Sequence, residues 1–313
     1  MCCSPKSGAP GRWGAWPGKV ESDSVQGSLG SWYARGKEFA MTRILIATDL
    51  SERSDRALRR AFRLAEEMDA ELTVLTVVDE DLPEKIATVM AAEAEAQLVA
   101  QCGTISERKA AIRVETVEPV AAITTSASSI DADLLVLGVH RPRPFWDIFT
   151  GTTMERIVRA SERPVLLASG PVTGAYERVL CGIDLSPACE AAAQAAGRVA
   201  PEAVLKAFHA VHVPYRGLLA PQDSAKALSP FIDEAQRELG DWWKRAQLPE
   251  QMEQPVPSVG AVSSSLDKEI ESFQPELIAV GAHGRVAISI SLLGRFTEDL
   301  IRTPPCDVLV VRR

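Results

Sequence analysis

Leu277–Val311, LIAVGAHGRVAISISLLGRFTEDLIRTPPCDVLVV, reads as a buried strand, a glycine-bearing loop, a helix and a second buried strand. LIAVG is a short apolar run ending in glycine, the pattern of a parallel strand covered on both faces. Gly281, Gly284 and Gly294 follow with the spacing Gly-x2-Gly-x9-Gly. The helix, from about Phe296 to Arg302, stops at Thr303-Pro304-Pro305 because proline cannot continue it. DVLVV is then the next strand.

Leu134–Ala168, LLVLGVHRPRPFWDIFTGTTMERIVRASERPVLLA, repeats this grammar. Gly138 aligns with Gly281, His140 with His283, Gly151 with Gly294 and Pro164 with Asp307, all at one constant offset. A second block supports the repeat: ILIATDLSERSDRALRRAF from Ile44 matches VLCGIDLSPACEAAAQAAG from Val179, pairing Asp49 with Asp184 and Ser51 with Ser186. Two blocks in one order argue for duplication.

Between these anchors each copy alternates strand and helix, which implies parallel strands with right-handed crossovers. In the first copy helix one follows Ser54 as N-cap, with Leu58, Ala61, Phe62, Ala65 and Met68 on its apolar face. ELTVLTVV is the second strand, Pro83 opens an alanine-rich helix to about Gln101, AIRVETV is the third strand, and Val120–Ile130 is a short helix. In the second copy AVLKAFHAVHV is one strand, and residues 224–247 form an amphipathic helix from which Trp243 diverges toward an interface. The expected architecture is two tandem open five-stranded parallel sheets with helices on both faces, packed as a pseudo-dimer.

Length and composition fit this organisation. A chain of 313 residues suits two domains with cores of their own. We place a Gly-, Ser- and Pro-rich tail at residues 1–40, the first domain at 41–172 and the second at 173–313, with Ser169–Gly174 as linker. The tail is expected to be disordered, and Met41, just before the first strand, is a candidate translation start. The net charge is −8 and both repeats are acidic, so no nucleic-acid surface is advertised. The six cysteines form no CxxC pair, as expected of reduced cytosolic thiols. No apolar run approaches the ~18 residues of a membrane span, so the expected location is cytoplasmic, without membrane partners. His209 and His212 resemble an HxxH pair, but residues three apart on a strand face opposite ways, so no metal site is expected.

The glycine loops sit where a parallel strand hands over to a helix. Helix N-termini there offer unpaired N–H groups and partial positive charge, which suit phosphate. Glycine lets the backbone approach the anion closely. Asp49 and Asp184 end their first strands on the same carboxyl edge, where ligands of open parallel sheets bind. The two aspartates also have a reading as turn or helix caps in Asp-x-Ser, and His140 and His283 one as loop-shaping residues.

These features resemble the universal stress protein family, as a tandem member, over Met41–Arg313. The resemblance implies an adenine-nucleotide alpha hydrolase-like, Rossmann-like fold. It also implies ATP or another adenine nucleotide as ligand, with Mg accompanying it, or no cofactor where the sites have degenerated. The residues it assigns to the ligand are Asp49, Gly138, His140, Gly151, Thr152 and Thr153 in the first domain. In the second they are Asp184, Gly281, His283, Gly284, Gly294 and Arg295. Neither motif is intact: Arg141 replaces the second glycine of the first copy, and Arg295 the hydroxyl residue of the second. The second copy keeps the better loop and the first the better hydroxyls. The implied function is a cytosolic stress-response protein with intramolecular domain pairing and further homo-oligomerisation open. A weak ATPase or ATP-using enzyme of the same superfamily, and a scaffold that binds nothing, are the alternatives. No GxxxxGK[ST], HxGH, SGGxDS or strand-following GxGxxG is present, and no nucleophile or acid/base constellation stands out.

Overall fold

A computed structural model describes residues 41–139, 153–211, 225–283 and 293–312. The tail therefore lies outside the described residues, as do His140, Arg141, Gly151, Thr152, His212 and Gly284.

The first half runs β1 (Arg43–Ala47), α1 (Glu52–Glu67), β2 (Glu71–Val77), α2 (Glu84–Ile105), β3 (Ala111–Glu115), α3 (Pro119–Ser129), β4 (Leu134–Gly138), α4 (Thr153–Ala160) and β5 (Val165–Ala168). The second runs β6 (Arg178–Gly182), α5 (Pro187–Val199), β7 (Val204–Phe208), β8 (Ala210–Val211), α6 (Ala225–Trp243), β9 (Ser258–Val259), α7 (Val262–Phe273), β10 (Leu277–Gly281), α8 (Arg295–Arg302) and β11 (Asp307–Val311). α1 begins earlier than its sequence signal, because the N-cap is Ser51, whose hydroxyl accepts from Ser54 N–H. Ser186 caps α5 in the same way.

The strands form one sheet in the order β3-β2-β1-β4-β5-β11-β10-β6-β7. Within each half all pairings are parallel, and β5 meets β11 antiparallel. The expected pair of five-stranded sheets is thus one nine-stranded sheet with a small parallel β8–β9 pair beside it. The cause lies at His209. β6 ends at Gly182, opposite Phe208, so the chain beyond Phe208 loses its inner neighbour and pairs outward with β9. His209 Nδ1 lies 2.7 Å from the Ile183 carbonyl, to which it donates, so this histidine pins the break. Trp243 is half-buried and packs beside Trp242 against the core, ring centroids 6.1 Å apart.

Alternation along the strands builds two apolar layers. Ile44, Ile46, Leu134 and Val136 face α1, α2 and the α5 side. Leu45, Leu135 and Leu137 face α3, α4, α7 and α8. Both layers run through the seam, since one contains Leu166 and Leu309 and the other Val165 and Val310.

The seam has approximate two-fold symmetry. Leu166 faces Leu309, its own counterpart in the repeat, and Val165–Val310 and Leu167–Val308 exchange places around them. Arg159 bonds Glu298 at 2.7 Å, and their counterparts Arg302 and Glu155 bond at 2.6 Å. Such reciprocal contacts are the signature of an isologous interface, here inside one chain: the halves pair as a pseudo-dimer.

One element breaks the symmetry. Asp307, at the start of β11, is 1% exposed and accepts from Arg60 Nε (3.1 Å), Tyr176 OH (2.6 Å), and Ser169 and Gly170 N–H (both 2.8 Å). Arg60 also donates to Gly174 O at 2.9 Å and lies 4.1 Å from the centre of the Tyr176 ring. Burial, then the Asp307 carboxylate, keeps the Tyr176 hydroxyl protonated well above its ordinary range. The counterparts of Arg60 and Asp307 are Ala195 and Pro164, so this latch fixes the linker on one side of the axis only.

Candidate functional site

Two equivalent cavities open at opposite edges of the sheet, each at the carboxyl ends of its own half's strands. The first, about 240 Å³, is lined by Ala47, Thr48 and Asp49 after β1, Leu75 and Val77 of β2, Pro119 and Ile123 of α3, Gly138, and Thr153 with Met154 at the start of α4. The second, about 290 Å³, is lined by Gly182, Ile183, Asp184, Phe208, Val262, Gly281, Gly294, Arg295, Phe296 and Thr297. Most lining residues of one have their repeat counterparts in the other. The topology creates the cavities: β1 and β4, and likewise β6 and β10, are neighbours whose following helices leave on opposite faces.

The aspartates shape the turn that leads into the first helix of each half. Asp49 Oδ1 accepts from Ser51 N–H at 3.1 Å and from the Ser51 hydroxyl at 2.6 Å. Asp184 Oδ1 accepts from Ser186 N–H at 3.0 Å. Between them and the caps stand Leu50 and Leu185, both left-handed, with φ of 60° and 65°. That conformation costs an ordinary L-residue roughly 1–2 kcal/mol. Its presence at both counterpart positions shows that the turn is imposed by what surrounds it. Sequence reading missed this, because leucine carries no turn signal.

Gly281 is needed for packing. A Cβ there would stand 2.9 Å from Ala188 carbonyl carbon and from Cys189 N, so β10 ends against the first turn of α5. Thr297 hydroxyl donates to Gly281 O at 3.0 Å and Gly294 N–H to Ala282 O at 2.9 Å, tying the start of α8 to the strand end. The cavity floors differ. In the first, Thr48 hydroxyl donates to Ser54 Oγ at 2.8 Å, and both side chains are buried. Ile183 and Cys189 take their places in the second, and burial followed by the Asp184 charge pushes the Cys189 thiol up to about 12.

Of the residues expected to bind, Asp49, Gly138 and Thr153 gather at the first cavity, and Asp184, Gly281, Gly294 and Arg295 at the second. His140, Gly151, Thr152 and Gly284 lie outside the described residues. His283 goes elsewhere: it lines a separate cavity at the seam. The apolar walls, Leu75, Val77 and Ile123 against Phe208 and Val262, were not recognisable as site residues because they come from elements remote in sequence.

A model of the universal stress protein family matches this chain twice, over residues 41–169 and 175–312. The chain belongs to the universal stress protein family. A universal stress protein of Mycolicibacterium smegmatis is 26% identical over 298 residues, covering 86% of this chain and 96% of that protein. A universal stress protein of Methanocaldococcus jannaschii is 30% identical over 148 residues, covering 44% of this chain and 87% of that protein. The crystal structure of a universal stress protein from Archaeoglobus fulgidus superposes with a TM-score of 0.61 at 19% identity, covering 88% of this chain and 97% of that one. That likeness establishes the tandem fold. Among the described residues no helix is long and apolar enough to cross a membrane.

Proposed function

We propose that this universal stress protein is a cytosolic stress-response protein that binds an adenine nucleotide at the sheet-edge cavities. The observation that carries the reading is the recurrence of one cavity, with counterpart linings, at both carboxyl edges. Volumes of about 240 and 290 Å³ fall just below the range of drug-sized ligand pockets, roughly 300–1,000 Å³. That size and the apolar walls suit a nucleobase. Thr153 and Arg295 are exposed at the first turns of α4 and α8; in this reading they meet the phosphate, Arg295 through charge-assisted bonds. When bound, the nucleotide supplies a charged polyphosphate; the chain's own residues supply shape, the aspartate-held turn and exclusion of water from the base.

Thermal melting with ATP, ADP and AMP, with and without magnesium, tests the reading. Ligand at a hundredfold excess over Kd stabilises the native state by about 2.7 kcal/mol, a rise of several degrees for a chain of this size. Ala47→Trp and Gly182→Trp, which fill one cavity each, are expected to abolish their share of the shift. Melting that does not respond to millimolar nucleotide refutes the binding reading and leaves the scaffold. Phosphate release that persists in highly purified protein and is lost in both filled variants would convert it into an ATPase.

A further inference from the structure

The cavity that His283 lines is about 550 Å³ and lies at the seam, apart from both sheet-edge cavities. Arg163, from the turn between α4 and β5, reaches it from the first half. Arg312, just after β11, and His283 reach it from the second. Among the described residues, three basic ones and one acidic one, Glu162, line it. The guanidinium groups are held in place. Arg163 donates to Asp131 at 2.9 Å through one Nη, and Arg312 donates to the Arg159 carbonyl that ends α4. His283 Nδ1 is buried with no partner among the described residues, so this ring nitrogen is left available to a ligand. The α5 N-terminus in the cavity wall adds little, since Pro187 has no N–H and Ser186 Oγ takes that of Cys189.

The duplication supplies an internal control. Across the two-fold, Arg163 corresponds to Cys306 and Arg312 to Ser169. There the Ser169 hydroxyl donates to Cys306 O at 2.7 Å and Ser169 N–H to Asp307, so the linker latch occupies the corresponding place. The cavity and its guanidinium pair therefore belong to one side of the axis. Shared seam packing does not require them, because the opposite side does without.

We propose that this seam cavity binds a small oxyanion of the phosphate type, clasped between Arg163 of one half and Arg312 and His283 of the other. Anchored guanidinium groups lose little entropy on meeting such an anion and match its oxygens through paired N–H donors. Because the ligand bridges the halves, its binding stabilises their pairing.

The full chain, labelled at histidine, is titrated with sodium phosphate and separately with glycerol 3-phosphate, at ionic strength matched by sodium chloride. The readout is the imidazole carbon–proton correlation of His283, assigned with His283→Gln. The expected result is saturable movement of that signal with at least one of the two. The one that saturates at lower concentration identifies free phosphate or a phosphomonoester as the source. Arg312→Gln and Arg163→Gln each raise the midpoint about tenfold, the loss of one charge-assisted bond. A signal that moves with neither, or midpoints unchanged in the variants, overturns the proposal. Should Arg312→Gln fail to fold, Arg163→Gln decides, because its partner Asp131 is 59% exposed and the pair is peripheral. The sheet-edge cavities contain neither arginine, so anion binding there would survive both variants and is told apart.

Discussion

Replacing Arg60 by leucine tests how the two halves are locked. The Arg60 and Asp307 side chains are 4% and 1% exposed, so neither charge has water to fall back on. Removing one partner of a buried ion pair costs about 3–5 kcal/mol, mostly because the other charge is left uncompensated. Asp307 would keep three donors, from Tyr176, Ser169 and Gly170, which places Arg60→Leu near the lower bound, about 3 kcal/mol. Asp307→Asn should reach the upper one. It leaves the Arg60 charge uncompensated in the interior and turns the amide's NH₂ toward groups that donate to the native carboxylate. The double variant should cost less than the sum by about 2 kcal/mol, within the range for residues sharing one network. Urea unfolding of the four proteins measures the cycle. Thermolysin cleavage within Ser169–Tyr176 reports the linker separately, and should accelerate in both single variants. Strict additivity, or single losses below ~1 kcal/mol with an uncut linker, would refute the claim that this latch holds the linker and seam.

Gly281→Ala should destabilise by about 1–3 kcal/mol, the usual range for overpacking. Its Cβ meets backbone of α5 at 2.9 Å, which denaturant melts will register. Among the reciprocal seam pairs, Glu155→Gln should cost more than Glu298→Gln, because Glu155 is 0% exposed and Glu298 26%; equal losses would contradict this. Burial foremost pushes the Cys181, Cys189 and Cys306 thiols from about 9 to about 12, with the neighbouring Cys189, Asp184 and Asp307 respectively adding to the shift. The native state then holds more protons than the unfolded chain between those values. The stability these thiols contribute should be level below about pH 9 and fall as pH rises toward 12. The urea midpoint against pH checks this, and Cys181→Ala should flatten the fall. Leu50→Gly should relieve left-handed strain at the first cavity; a melting temperature lowered as far as by a core truncation would show that its packing outweighs that relief.

Residue order alone established the repeat, the parallel α/β units and the capped turn from first strand to first helix in each half. Each is written in local pattern: LLVLG and LIAVG as doubly covered strands, DLS as a cap, proline pairs as stops. It also placed Asp49 and Asp184 each just past the carboxyl end of its own first strand, since both end a strand and precede a cap. What local pattern does not carry is which edge strand finds which neighbour. β5 and β11 read alike as PVLLA and DVLVV, and nothing in either states that they pair antiparallel and fuse two sheets into one. Only the tertiary structure showed Asp307 as the centre of a buried latch. In sequence it is one acid beside a strand, and its donors Arg60 and Tyr176 lie 247 and 131 residues away. The same holds for His283, which the repeat aligns with a binding loop and the packing turns toward the seam. Period and caps act over a few residues and survive in the one-dimensional string. Pairing, burial and charge compensation act between residues far apart in the chain, and exist once it has folded.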